Sequence, residues 1–143
     1  MTLHEIYNNH KDQFRKKLSK QAEQKRALKM EQNAREGKRS KYGSKQVVFD
    51  NIIFHSTGEG YYYLELKDQV NRGMIAEFKR QVVFPLVVNG VHITTYRCDF
   101  ITKDFGGNYQ VIDFKGYETE EYKIKRQLMI ACYGIAIKEI KSK

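Results

Sequence analysis

The 143-residue chain has one proline, no tryptophan and only two cysteines. A lone proline, Pro85, excludes a proline-rich linker or a polyproline ligand. Cys98 and Cys132 make neither a disulfide framework nor a C-x-x-C metal pattern. They read as reduced thiols of a cytosolic protein. The longest apolar run, Val82 to Val88, is too short to span a bilayer, so no membrane association is expected. The start, Met1-Thr2-Leu3-His4-Glu5-Ile6, lacks a charged region followed by an apolar stretch, and secretion is not expected. His4, His10, His55 and His92 are scattered without a metal or nucleophile spacing, so zinc chemistry has no support. No G-x-x-x-x-G-K-[ST] loop or G-x-S-x-G elbow occurs, which argues against nucleotide hydrolysis and esterase chemistry.

What is present is apolar residue and positive charge. Hydrophobic residues make up 41% of the chain, with 10 Tyr and 8 Phe, enough to build a core and to exclude full disorder. Lys and Arg number 26 against 17 Asp and Glu, a formal net charge of +9. An excess of this size favours a polyanionic partner, most often nucleic acid, over an acidic small molecule, with solubility alone as the plainer alternative.

The charge is unevenly placed. Residues 1–46 hold 13 Lys and Arg against 5 Asp and Glu, a net of +8, so residues 47–143 are nearly neutral. From His4 to Glu36 the segment is rich in good helix formers, with a thin and broken stripe of Leu3, Ile6, His10, Phe14, Leu18 and Leu28. It reads as a basic helical arm that follows a phosphate backbone or packs on a partner chain. A solvated charged helix is the plainer alternative. Gly37 to Ser44, carrying Lys38, Arg39 and Lys41, reads as a basic joint, and the division falls into a 1–46 arm and a 47–143 domain.

Beyond the joint, the pattern predicts two short strands turned at Asp50-Asn51. Ser56 and Glu59 form a capping box opening a helix with Tyr63, Leu66 and Val70 on one face and Gly73 at its end. Strands are predicted over Val82 to Val88, Ile93 to Thr102 and Asn108 to Lys115, with turns at Gly90 and Gly106-Gly107. A second helix runs from Thr119 to Gly134 with Ile124, Leu128, Ala131 and Cys132 as its apolar face, and Ile135 to Ile140 is a last strand. The class is α/β with a mixed sheet.

One hairpin concentrates carboxylates. If the turn is centred on Gly106, opposed residues have numbers that sum to 212, as those of Asp99 and Asp113 do, and a shift by one residue would remove the pairing. Like charges so opposed are destabilising unless compensated. A divalent cation would compensate them, and Lys115, on the face of Asp113, adds positive charge. Glu59 shares the buried stripe of Tyr63 and Leu66, where a carboxylate is costly without a partner. The plainer alternatives are two surface acids with a solvated lysine, and a Glu59 that only caps its helix.

An acidic residue on the first helix (Glu59), an Asp on a strand (Asp99) and a D-x-K on its hairpin partner (Asp113-Phe114-Lys115) resemble the PD-(D/E)XK nuclease superfamily. More narrowly, Lys41-Tyr42-Gly43, Phe54-His55-Ser56 with Glu59, Tyr96-Arg97-Cys98-Asp99-Phe100 and Asp113-Phe114-Lys115-Gly116 look like a family of phage-encoded proteins. That family is labelled only as a domain of unknown function and grouped with this superfamily. Two departures stand out: Cys98 precedes the first strand acid where the motif has proline, and glycines flank Glu59. The resemblance implies a restriction-endonuclease-like core, a mixed central sheet flanked by helices, behind the basic arm.

The implied activity is Mg2+- or Mn2+-dependent hydrolysis of DNA phosphodiesters, with branched DNA as the sharpest version. Asp99, Asp113 and the Phe114 carbonyl would hold the ion, with Glu59 completing the set. Lys115 would orient the attacking water or offset charge in the transition state. Lys123, Arg126 and Gln127, off the predicted apolar face, are candidates for contact with the DNA backbone, as are Lys38, Arg39 and Lys41; for each of the three on the helix a solvated face is the plainer alternative. A homodimer in the cytoplasm, that of a host if phage-encoded, is the implied setting. The alternative is a non-catalytic DNA- or protein-binding module that keeps the fold.

Overall fold

A computed structural model describes residues 2–15, 20–35 and 45–141. Along the chain lie α1 (Leu3–Arg15), α2 (Lys20–Arg35), β1 (Val47–Phe49), β2 (Ile52–Phe54), α3 (Thr57–Asn71) and β3 (Glu77–Arg80). Then follow β4 (Val83–Val88), β5 (Val91–Arg97), β6 (Phe100–Lys103), β7 (Tyr109–Lys115), α4 (Glu120–Tyr133) and β8 (Lys138–Lys141). The class is mixed α/β, as the pattern predicted. No helix among the described residues is long and apolar enough to cross a membrane. The joint over Gly37 to Ser44, with Lys38, Arg39 and Lys41, lies outside the described residues.

The chain divides into two compact units, one of Met1–His10 with Leu66–Lys143 and one of Lys11–Glu65. In the second unit β1 and β2 pair antiparallel through Asp50 and Asn51, both with positive φ, the conformation of a type I′ hairpin. Helix α2 packs on this hairpin. Ser56 Oγ accepts the Glu59 N–H (3.2 Å), so the expected cap forms. Tyr63, one turn after Glu59, donates to Asp50 (2.8 Å) and tilts against Phe54.

The first unit contains a four-stranded sheet in the order β3-β6-β7-β8, antiparallel except for the parallel β7–β8 pair, and a separate β4–β5 hairpin. Because β7 and β8 run parallel, a crossover must join them, and α4 supplies it. Thr119 caps α4 by accepting the Tyr122 N–H (3.1 Å), and Gly134 ends it in the left-handed conformation, both as the sequence predicted. The core of the unit gathers Ile101 and Val111 from the sheet, Val82, Phe84, Leu86, Tyr96 and Cys98 from the hairpin region, and Tyr122 and Met129 from α4. Ile6 and Tyr7 belong to it as well. The first turns of the basic segment are therefore core rather than arm, tied down by Lys79, which donates to the Tyr7 carbonyl (2.7 Å) with its ammonium 3.7 Å from the ring centroid.

Three expectations change. The strand predicted over Ile93 to Thr102 is two strands in different sheets. At Cys98-Asp99 the backbone bonds pass from Val82 (Cys98 N–H, 3.1 Å) to Gln81 (Asp99 carbonyl, 3.0 Å), so the chain leaves β4 and pairs with β3. Strand β3, four residues from an exposed turn, carried no strand signal of its own. Finally, the buried residues of α4 are Tyr122 and Met129, while Ile124 and Ala131 are exposed. The inward face is thus rotated by roughly a third of a turn from the purely apolar stripe.

Gly60 permits the tight packing of the β1–β2 hairpin on α3. A Cβ there would lie 2.4 Å from Val47 Cγ2 and 3.0 Å from the Phe49 ring. A helical Gly→Ala change ordinarily gains about 1 kcal/mol. Here overpacking against a β-branched side chain costs more, and Gly60→Ala is expected to destabilise by about 1–2 kcal/mol net. A denaturant midpoint equal to or above wild type would refute the packing.

Candidate functional site

The β6–β7 register decides the site. Phe100 opposes Ile112, Ile101 opposes Val111, Thr102 opposes Gln110 and Lys103 opposes Tyr109, all pairs summing to 212. The turn that sets this count is held by Asp104, whose carboxylate accepts from the Asn108 backbone (2.8 Å) and side chain (2.9 Å), with Gly107 at positive φ. Asp99, one residue before β6, is therefore directed at Asp113, as the alternation and turn predicted. The two carboxyl groups lie within hydrogen-bonding reach of each other.

Asp99 is anchored from two sides. Its Oδ2 accepts the Phe114 backbone N–H (2.8 Å) and its Oδ1 faces Gln81 Nε2 (3.4 Å). Asp113 is only 2% exposed, and Lys115 Nζ stands 2.8 Å from its Oδ2. Burial first, and Asp99 second, raise the Asp113 pKa from 3.8 to about 7, with Lys115 opposing the shift. Tyr96 and Cys98 are buried close by; burial first, with a contribution from Asp113, pushes both the phenol and the thiol up.

Behind Lys115 stands a further layer of polar groups. Its ammonium lies 4.3 Å from the centroid of the Tyr122 ring. Tyr122 Oη donates to Glu139 Oε1 (3.1 Å), and Arg126 Nη1 donates to the same oxygen (2.6 Å) and approaches Glu118 Oε2 (3.4 Å). Glu139 is the register partner of Asp113 on β8, and its carboxyl is held below the usual range chiefly by Arg126. Among the other residues singled out from sequence, Arg126 is thus engaged in this network, while Lys123 pairs with Glu120 (2.7 Å) on an exposed face. Gln127 is exposed. Glu59 belongs to the second unit and is 6% exposed, on the stripe of Tyr63 as expected.

Sequence alone does not mark Glu139, Gln81 or the inward turn of Tyr122, and it marks Tyr96 only within the motif Tyr96-Arg97-Cys98-Asp99-Phe100. Tyr122 recurs with Met129 and Tyr133 at spacings of seven and four, a helical face visible only if tyrosine is counted as inward. Glu139 carries no local signal, since its place depends on the parallel register of β8.

The donor chemistry of Asp99 and Asp113 fits a hard divalent cation, because the two carboxylates are opposed, one of them is desolvated, and the Lys115 ammonium stands beside Asp113 alone. Among the described residues, no group of three or more His, Cys, Asp or Glu side chains is arranged to hold a metal ion. The fit therefore rests on this pair.

The folded chain keeps a proton on Asp113 up to about pH 7, the unfolded chain only to about 3.8. Between those values the folded state binds more protons, so stability falls as pH rises through the window. Asp113→Asn removes this dependence. The stability difference between variant and wild type is expected to move in the variant's favour by about 2–4 kcal/mol from about pH 4 to about pH 8. Denaturation at a series of pH values measures it, and a difference independent of pH would refute the desolvated pair.

No curated protein and no solved structure matches the chain. A family model described as "Protein of unknown function (DUF1064)" matches residues 39–141, a span that includes Glu59, Asp99, Asp113, Lys115, Tyr122 and Glu139. The chain belongs to this family.

Proposed function

We propose that the protein is a metal-dependent DNA endonuclease of the PD-(D/E)XK superfamily, with a restriction-endonuclease-like core. The observation that carries this reading is the opposition of Asp99 and Asp113 across β6–β7, with Lys115 2.8 Å from Asp113 Oδ2. Asp99 and Asp113 would hold Mg2+ or Mn2+ together with the Phe114 carbonyl. Bound there, the ion supplies Lewis-acid stabilisation of the phosphate charge and a more acidic attacking water.

Each residue of the pair has its own part. Asp99, fixed by Phe114 N–H and Gln81, holds its carboxylate in place before substrate arrives. Asp113 must give up its proton to act as a ligand, so activity should rise with pH toward and beyond about 7. Lys115, 26% exposed, can reach both Asp113 and an approaching phosphate, orienting water and offsetting charge in the transition state. The basic segment, with Lys38, Arg39 and Lys41, supplies affinity for the DNA backbone. Branched DNA as substrate, a homodimeric state, a phage origin and action in the cytoplasm in recombination or replication complete the proposal, by analogy with small nucleases of this type.

Cleavage of labelled linear, flap and four-way-junction DNA in Mg2+ or Mn2+ is the direct test. Wild type should cut at least one of them, and Asp113→Asn should lower the rate by about 100-fold or more. Identical products from both proteins, or none from either, would sink the enzyme reading.

The rival reading is a binding module in which Asp113, at 2% exposure, serves structure alone. Mn2+ binding that is unchanged by Asp99→Ala would favour that module. The nuclease reading, and a module that binds DNA rather than protein, predict a salt-dependent grip on DNA. Replacing Lys38, Arg39 and Lys41 with Gln should reduce the log–log salt slope by about 1 for each phosphate no longer neutralised. An unchanged slope would assign the segment to a protein partner.

A further inference from the structure

We propose that Tyr122 is the positioning residue that holds the Lys115 ammonium against Asp113, and that its loss slows the reaction without weakening DNA binding. This rests on the nuclease reading above and names a residue outside the motif that suggested it.

Lys115 is the last residue of β7, on a flexible four-carbon stem that is partly exposed. Two contacts restrain it, the Asp113 carboxylate at 2.8 Å and the Tyr122 ring at 4.3 Å from its centroid. The carboxylate alone would leave the ammonium free to swing about that one oxygen. A ring face beneath it removes this freedom, because the cation is attracted to the centre of the ring.

The ring is fixed at both ends. Its backbone N–H is taken by the helix cap at Thr119 (3.1 Å), and its hydroxyl is tied to Glu139 (3.1 Å), which Arg126 grips (2.6 Å). Glu139 in turn sits opposite Asp113 on β8, so the ring is referenced to the same strand pair as the carboxylate it serves. Tyr122 itself is 6% exposed, too buried to touch a DNA substrate. Any effect it has on the reaction is indirect, and the Lys115 NMR signal separates a path through the ammonium from one through Glu139 and Arg126.

The test combines a spectroscopic and a kinetic reading on the full-length protein. An ammonium held over a ring places the Lys115 ε-methylene protons in the ring's shielding region. Their NMR signal, assigned by its disappearance in Lys115→Arg, should lie upfield of ordinary lysines in wild type and in Tyr122→Phe. It should return to the ordinary position in Tyr122→Leu. Should Tyr122→Leu fail to fold, Tyr122→Met, whose flexible thioether adapts to the space left by the ring, carries the same test.

On the cleaved DNA, loss of the ring should lower kcat by about 10- to 100-fold, with KM within about twofold. Tyr122→Phe should keep kcat within about threefold, since the ring is retained. An unshifted Lys115 signal in wild type, a signal indifferent to Tyr122→Leu, or an effect carried by KM would overturn the proposal. A shifted signal in a wild type that cuts no DNA would overturn the nuclease reading and the catalytic role of the clamp together.

Discussion

Two carboxylates opposed across one antiparallel strand pair impose a cost that the surrounding structure is arranged to offset. Asp99 and Asp113 cannot both be ionised at close range in a desolvated site without compensation, and the fold supplies three kinds. A backbone N–H from Phe114 and a side-chain amide from Gln81 stabilise Asp99. Lys115 stands beside Asp113. Where these fall short, Asp113 retains a proton to about pH 7. Such a pair is an energetic liability unless something binds to it, which is the physical reason for reading it as a site rather than as ordinary surface charge.

The architecture of the first unit follows from keeping that pair in place. Strand β7 lies between an antiparallel neighbour, which brings Asp99 to Asp113, and a parallel one, which brings Glu139 to the same face. The parallel pairing needs a crossover, and the crossover helix α4 carries Tyr122 and Arg126 back over the site. Helix α4 is therefore at once core and support. Its amphipathic residues bury their bodies and direct their polar ends to Glu139. At the far end of the same sheet face, Ile6 and Tyr7 close the core against β3, β6 and β7 through Lys79 and Tyr109. The basic segment is rooted in the unit by two apolar residues.

The polar groups at the site form a chain from Asp99 through Asp113, Lys115, Tyr122 and Glu139 to Arg126 and Glu118. Networks of this kind rigidify their members, since each group restricts the rotamers of the next. Asp99 and Lys115 keep partial access to solvent while Asp113 does not. A ligand would thus meet the half-exposed members first, with the buried carboxylate behind them.

The D-x-K spacing, the Gly106-Gly107 turn, the Asp50-Asn51 turn, the Ser56–Glu59 cap and the Thr119 and Gly134 ends of α4 are all local rules, and each is legible directly in the chain. Because side chains alternate along a strand and a turn sets the hairpin count, the Asp99–Asp113 opposition follows from the sequence once the turn is centred on Gly106, and the β6–β7 pairing fixes that centre. Choices of partner do not. The break at Cys98-Asp99, the pairing of β3 with β6, the burial of Ile6 and Tyr7 and the placing of Glu139 beside Asp113 all depend on segments distant in the chain competing for the same hydrogen bonds and the same apolar surface. No periodicity within one segment records which neighbour it will meet. The face of α4 shows the same division: spacing alone favours Ile124 and Leu128, yet Tyr122 turns inward because Glu139 and the Lys115 ammonium are there to receive it.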